Sequence, residues 1–174
     1  MYSIENTRLI DLSDGVIPDD VYLVYSGKQM KSLVKTTIKL WNSGKKTINK
    51  SDLEPPYISI PFGENDPAST HFIRINAKAN HSHIKLSNPE ITDTLDIHFD
   101  FNFLDYKDSI EIDILHTAKI PPSKITGYIK GVPNGLVNVS DRQERVAQIL
   151  ASMMLSNTEI FSRFLLRMIQ TFYK

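Results

Sequence analysis

Cysteine is absent from this 174-residue chain, and with it go disulfide staples, thiolate metal sites and a cysteine nucleophile. Nor is there an excess of charge: Lys plus Arg and Asp plus Glu stand at 20 each, so nothing pulls the whole molecule onto nucleic acid or anionic lipid. No window approaches the roughly 18 uninterrupted apolar residues of a membrane-crossing helix. The opening Met1-Tyr2-Ser3-Ile4-Glu5 has no basic region ahead of an apolar run, so no signal peptide is visible. A soluble chain with cytoplasmic exposure is the expectation. Signatures of chemistry are missing as well: neither a Gly-x-Ser-x-Gly elbow nor a Gly-x-Gly-x-x-Gly or phosphate-loop pattern occurs. The chain is therefore expected to be no enzyme and to carry no cofactor.

What is present is an apolar fraction of 41%, enough for one sizeable core. From Ser3 to about Gly131 it is spread through short alternating runs separated by turn residues, the all-β texture. Val21 to Tyr25 is one run, closed by Ser26-Gly27-Lys28. Leu33 to Trp41 follows, with Val34, Thr36, Ile38 and Leu40 on one face and Lys35, Thr37, Lys39 and Trp41 on the other. Trp41 is a candidate plug for the interior, although its parity sets it beside the lysines. Asn42-Ser43-Gly44-Lys45 then predicts a tight hairpin turn through positive φ. Further strands are expected at Tyr57–Ile60, His71–Ala77, His83–Leu86, Thr92–Phe101, Ser109–Thr117 and Ile125–Lys130, with Pro55-Pro56, Pro61, Pro67, Pro89 and Pro121-Pro122 breaking between them. About eight strands with hairpin-length links and no helix between them predict a mainly β fold, an antiparallel β-sandwich in preference to a barrel.

After Asn138 the pattern changes. Ser140 with Gln143, and Ser156 with Glu159, read as capping boxes opening two amphipathic α-helices. The second carries Ile160, Phe161, Phe164, Leu165, Met168 and Phe172 on one face, opposite Arg163 and Arg167. A stripe of that size needs cover. Packing against protein, in the same chain or a second copy, is the expected fate, with a membrane surface as the alternative. The expected domains are a sandwich over 1–135 and a helical C-terminal tail over 136–174.

Charge is segregated along the chain. Lys28, Lys31, Lys35, Lys39, Lys45, Lys46 and Lys50 fall in one stretch without an acid, while Glu90, Asp93, Asp96, Asp100, Asp105, Asp108, Glu111 and Asp113 fall in another against Lys107 alone. The simplest reading lays Lys35 and Lys39 against Asp96 and Asp100 across one solvated sheet face, each pair worth about 0.2–1 kcal/mol. A second has the basic patch of one molecule meeting the acidic patch of another. Nucleic acid is disfavoured, because the basic block lacks arginine and interleaved aromatics. Asp96, His98 and Asp100 share one strand face and form the alternative candidate, a metal- or carbohydrate-binding or hydrolytic site; neighbours two apart lie about 6.6–7 Å from each other, wide for one ion. His81-Ser82-His83 reads as a solvated hairpin, and the spacing of Asp105 and Asp108 matches no calcium loop.

Leu40 to Ile48 with Ser51-Asp52, Phe99 to Asp105, Ile112 to Thr117 and Gly127-Tyr128-Ile129-Lys130-Gly131 together resemble an uncharacterised bacterial immunoglobulin-like β-sandwich domain often associated with transmembrane helices. The resemblance covers about Tyr2 to Val132. It implies an immunoglobulin-like sandwich without a catalytic residue, serving as an accessory or sensing module beside a membrane. The expected function is accordingly a non-enzymatic interaction or sensing module, its tail helices mediating self-association or docking.

Overall fold

The computed structural model describes residues 1–140 apart from 13, 14, 16, 19, 64, 133 and 134. The chain divides into two units, Met1–Asn138 and Val139–Lys174; the first is described below, and the two expected tail helices lie outside the described residues. The first unit is mostly β and its sheets are antiparallel, an arrangement compatible with a β-sandwich.

Ten residues of alternating burial make β4 (Ser32–Trp41), whose buried face is Val34, Thr36, Ile38 and Leu40 as the period of two requires. It pairs on one side with β1 (Tyr2–Asp11) and on the other with β11 (Ser109–His116). Beyond β11 lies β7 (Phe72–Ala79), giving a four-stranded sheet in the order β1-β4-β11-β7. The second four-stranded sheet runs β12-β6-β9-β8, from β12 (Thr126–Ile129), β6 (Leu53–Ile60), β9 (Ile97–Phe99) and β8 (Glu90–Ile91). The remaining elements among the described residues are two ribbons, β2 (Leu23–Tyr25) with β3 (Lys28–Met30) and β5 (Ile48–Asn49) with β10 (Phe103–Leu104), and a 3-10 turn at Lys50–Asp52.

One core cluster takes side chains from both larger sheets, Ile38, Ile110, Ile112 and Ile114 from the first and Ile58, Ile60, Ile97 and Phe99 from the second. Each such side chain withdrawn from water contributes about 1.5–3 kcal/mol. The chain reaches this arrangement by alternating between sheets: β4 is followed by β6 in the other sheet, β6 by β7, β9 by β11 and β11 by β12. The expected hairpin-length links between neighbouring strands therefore do not describe these connections.

Three local expectations are corrected. The segment after β4 is no hairpin, because β5 pairs with β10. Its turn is held by the Asn42 side chain, which accepts the Gly44 N–H at 2.9 Å and donates to the carbonyls of Lys46 and Leu104 at 2.8 and 2.9 Å. Trp41 is half-buried on the face it shares with exposed Lys39 and stands outside the core cluster, as its parity demands. Pro55 and Pro56 lie inside β6, where they were expected to end a strand. They occupy a stretch without ladder partners, between the Ser59↔Thr126 and Glu54↔Tyr128 pairs, so their missing N–H groups cost no sheet hydrogen bond. Across from them Gly127 has φ +154, and a Cβ there would come within 2.9 Å of Ile58 Cδ1.

His116 is fully buried at the end of β11. Its Nδ1 accepts the Ala118 N–H at 3.1 Å, so Nε2 carries the hydrogen and donates to Thr36 Oγ1 at 2.8 Å. Thr36 in turn donates to Asn6 Oδ1 at 2.6 Å, and Asn6 Nδ2 donates to the Pro122 carbonyl at 2.9 Å. Burial lowers the His116 pKa from 6.5 to about 4. A depressed value means that the unfolded state takes up the proton first as pH falls. Stability is then complete above pH 6.5 and is lost progressively down to about pH 4; at about 1.36 kcal/mol per pKa unit the loss is roughly 3 kcal/mol. Urea unfolding at a series of pH values checks this, and His116→Phe is expected to flatten the slope over that interval. Thr36→Val, which strands the Nε2–H in the interior, is expected to cost about 1–3 kcal/mol at pH 7.

Candidate functional site

Antiparallel register brings the last residue of β11 opposite the early part of β4 and the first residue of β7: His116 pairs with Val34 and with Phe72. The segments leaving these strands therefore meet at one end of the sheet. There a cleft of about 710 Å³ opens, a size within the usual range for ligand pockets. Its wall is pinned by hydrogen bonds that leave little freedom. Asn65 Nδ2 donates to the carbonyls of Phe62 and Ile120 at 3.0 and 2.8 Å, while its Oδ1 accepts the Ile120 N–H at 2.8 Å. Thr117 Oγ1 accepts the His71 N–H at 2.9 Å and donates to the Ser69 carbonyl at 3.1 Å.

The other wall comes from the β2–β3 ribbon. Ser26 and Gly27 both have positive φ, 51° and 76°, the condition for a two-residue turn whose twist matches the strands. Met30 is buried and Leu23, its register partner, half-buried. The remaining apolar residues of the ribbon face water: Tyr22 is 64% exposed, Val24 60% and Val21 47%. The run from Val21 to Tyr25 is apolar at every position, and a two-stranded ribbon can bury only one of its faces. That signal is present in the sequence, in a run that otherwise predicts only a strand.

Charge on the cleft is uneven. The Arg8 guanidinium is taken up by Asp11, and the Asp66 carboxylate accepts the Ala68 N–H of its own turn at 3.0 Å. Lys28 Nζ lies 3.4 Å from His71 Nε2. Lys31 and Lys119 have no ion-pair partner among the described residues, and both are exposed on the cleft lining. The lining thus carries Arg8, Lys28, Lys31 and Lys119 against Asp11 and Asp66, an excess of positive charge.

The residues singled out from the sequence are distributed as follows. Lys35 pairs with Asp113 at 3.0 Å on the outer face of the first sheet, where the Thr37 hydroxyl at 2.7 Å and Lys35 together hold the Asp113 carboxyl below its ordinary pKa despite partial burial. Lys39 stands opposite Glu111, whose carboxylate pairs with Lys78 at 2.6 Å. The expected partners Asp96 and Asp100 belong to the other sheet's β9 segment; Asp100 pairs with Lys50 at 2.9 Å, so the basic and acidic blocks do meet, through different residues. His98 stacks on Tyr57 with centroids 4.0 Å apart. Asp96, His98 and Asp100 are not gathered as a metal-ligand set; among the described residues that set is His83, Asp105 and Asp108. Ile160, Phe161, Phe164, Leu165, Met168 and Phe172 lie outside the described residues. No helix among the described residues is long and apolar enough to cross a membrane.

In comparisons with known proteins the chain matches no family model, no curated protein and no solved structure. Because Tyr22 and Val24 contact mostly water, Tyr22→Ser and Val24→Ser are expected to change unfolding free energy by no more than about 0.5 kcal/mol, measured by urea denaturation; a structural role for the ribbon's outer face predicts a larger loss.

Proposed function

We propose that this chain is a non-enzymatic interaction module, an immunoglobulin-like β-sandwich that presents the β2–β3 ribbon and the adjoining cleft to an acidic segment of a protein partner. The observation carrying this reading is that one ribbon bears exposed Tyr22, Val24 and Tyr25 on and beside β2, while its β3 strand lines a cleft whose lysines Lys28, Lys31 and Lys119 have no ion-pair partner among the described residues. Tyrosine supplies a large contact area for little lost freedom, and aromatic residues with a polar rim mark protein-recognition surfaces. Lysines at the rim act mainly on encounter and partner choice. They answer a partner of negative charge, and the attraction is screened by salt over about 8–10 Å. A scaffold whose recognition segments join the ends of pleated layers matches the accessory or sensing role that the family resemblance implies.

The tail belongs to the same proposal. The stripe Ile160, Phe161, Phe164, Leu165, Met168 and Phe172, read from helical spacing, serves self-association or docking, with a membrane surface as the competing destination.

Fluorescence anisotropy with a labelled glutamate-rich peptide and its glutamine counterpart tests the first part. The acidic peptide is expected to bind, to weaken as salt is raised, and to lose at least roughly tenfold in affinity to Lys28→Glu/Lys119→Glu. Equal binding of both peptides, or undiminished binding by the double variant, refutes it. For the tail, Phe164→Glu/Leu165→Glu in the full chain is expected to lower the mass seen by light scattering. A mass that stays put counts against self-association through this stripe.

A further inference from the structure

The other end of the first sheet gathers a different chemistry. β7 runs out through Asn80 into His81-Ser82-His83, and β11 is entered from the turn Asp105 to Asp108, so antiparallel pairing sets the two segments side by side. The turn is closed by the Asp108 N–H donating to the Asp105 carbonyl at 3.0 Å. Asn80 ties the segments together, accepting the Ser109 N–H at 2.8 Å through Oδ1 and donating to the Lys107 carbonyl at 3.3 Å. Asn102 fixes the far side of the histidine segment by donating to the His83 carbonyl at 3.0 Å.

On this frame the Asp108 carboxylate is almost wholly buried, and His83 Nε2 lies 2.8 Å from its Oδ2. The Asp105 N–H donates to the same oxygen at 2.9 Å, and His81 Nε2 lies 3.9 Å from Oδ1. The Asp105 carboxylate is oriented by the Thr47 hydroxyl, which donates to its Oδ1. His83 is held flat, stacked on Phe103 on one side and against His81 on the other, each with centroids 5.4 Å apart. His83, Asp105 and Asp108 present one ligand atom each within 4.8 Å of one another.

We propose that His83, Asp105 and Asp108 form a binding site for a divalent transition-metal ion of the zinc type, with His81 within reach as a fourth ligand. Ligands at about 2.1 Å from a tetrahedral ion stand about 3.4 Å apart, so the existing separations close by small side-chain rotations. Imidazole nitrogen with carboxylate oxygen suits zinc and its neighbours. Calcium asks for roughly 6–8 oxygens, which a set containing an imidazole nitrogen serves poorly. Two carboxylates neutralise the ion, and the Thr47 hydroxyl and Asp105 N–H supply the outer contacts that keep ligands aimed. A His83–Asp108 pair serving only to join two loops would need neither the second carboxylate nor the second imidazole. On binding, the hydrogen that His83 Nε2 donates to Asp108 leaves that nitrogen, moving to Nδ1 of a neutral ring or out to solvent as a proton from an imidazolium, and the hydrogen bond is replaced by two metal–ligand bonds. Binding thereby clamps the segment after β7 to the turn before β11.

Calorimetry on the tag-free, chelator-stripped full chain with Zn²⁺ alone tests the site, beside cobalt(II) absorption and thermal unfolding. The expected result is one equivalent of Zn²⁺, a Co²⁺ spectrum of low coordination number, and a Tm raised by about 5 °C or more at saturating metal. His83→Gln and Asp105→Asn should each weaken binding by at least roughly tenfold; Asp105→Asn should keep the metal-free Tm near the parent's, while His83→Gln lowers it by disturbing the hydrogen bond to buried Asp108. His98→Gln should bind as the parent does. If His83→Gln fails to fold, the exposed Asp105 carries the comparison. Absence of binding overturns the proposal, as does binding that survives loss of the ligands, or binding lost with His98, which would place the metal on the Asp96, His98 and Asp100 face.

Discussion

The pairing of β4 with β11 is the constraint from which the rest of the described unit follows. Ile38 faces Ile112, Leu40 faces Ile110 and Thr36 faces Ile114 across it, and all six side chains are buried. A slip of one residue in either strand would turn that strand's three buried side chains to water and bring its two charged residues inside, Lys35 and Lys39 for β4 or Glu111 and Asp113 for β11. The cost of burying two charges without partners so far exceeds any surface ion pair that the register admits no alternative. The ion pair of Lys35 with Asp113 is therefore a consequence of the isoleucine pairing and contributes little to it.

Fixing this register also fixes what lies at each end. β4, β11 and β7 are antiparallel neighbours, so the termini of all three alternate between the same two edges. At one edge the chain leaves through Thr117 and enters through His71, and there the lysine-rimmed cleft forms. At the other it leaves through Asn80 and enters through Asp108, and there imidazoles and carboxylates converge. With strand rise near 3.3 Å per residue, the seven steps of β11 separate the two edges by about 23 Å. Neither set of groups can touch the other. They are independent surfaces on one frame.

The strand cores were legible because the interior imposes a strict period of two on β4 and β11, and that period survives in the bare residue order. Trp41 shows the strength of the rule: its size argued for the interior, its parity against, and parity won. Weaker readings failed where long-range partners decide. Thr92 to Phe101 alternates like a single strand, yet regular pairing in it is confined to Ile97–Phe99, because Leu95 takes positive φ in a turn where its N–H reaches the Thr92 carbonyl. β1 was not singled out at all, since five consecutive residues from Glu5 to Leu9 are exposed and leave no alternation to read. The ligand cluster was invisible for a related reason: His83 and Asp108 are 25 residues apart, and each lies in a segment that by itself looks like solvated loop.

That failure has a physical logic that bears on where binding chemistry sits in such a fold. Residues inside the layers are chosen by burial, and burial writes itself into local periodicity. Residues on connecting segments are released from it, so their types carry no local pattern, and only register brings them together. The unusual residues are then those whose burial the core does not need. Asp108 is the clearest of them: burial alone would push its carboxyl up, and it is held below the ordinary value by the hydrogen bonds from His83 and the Asp105 N–H and by the nearby imidazoles. Two carboxylates stand together here, Asp108 buried and Asp105 exposed, with the imidazoles of His81 and His83 beside them. Core packing calls for none of these four groups, and the paired carboxylates are the charge that the proposed cation would neutralise.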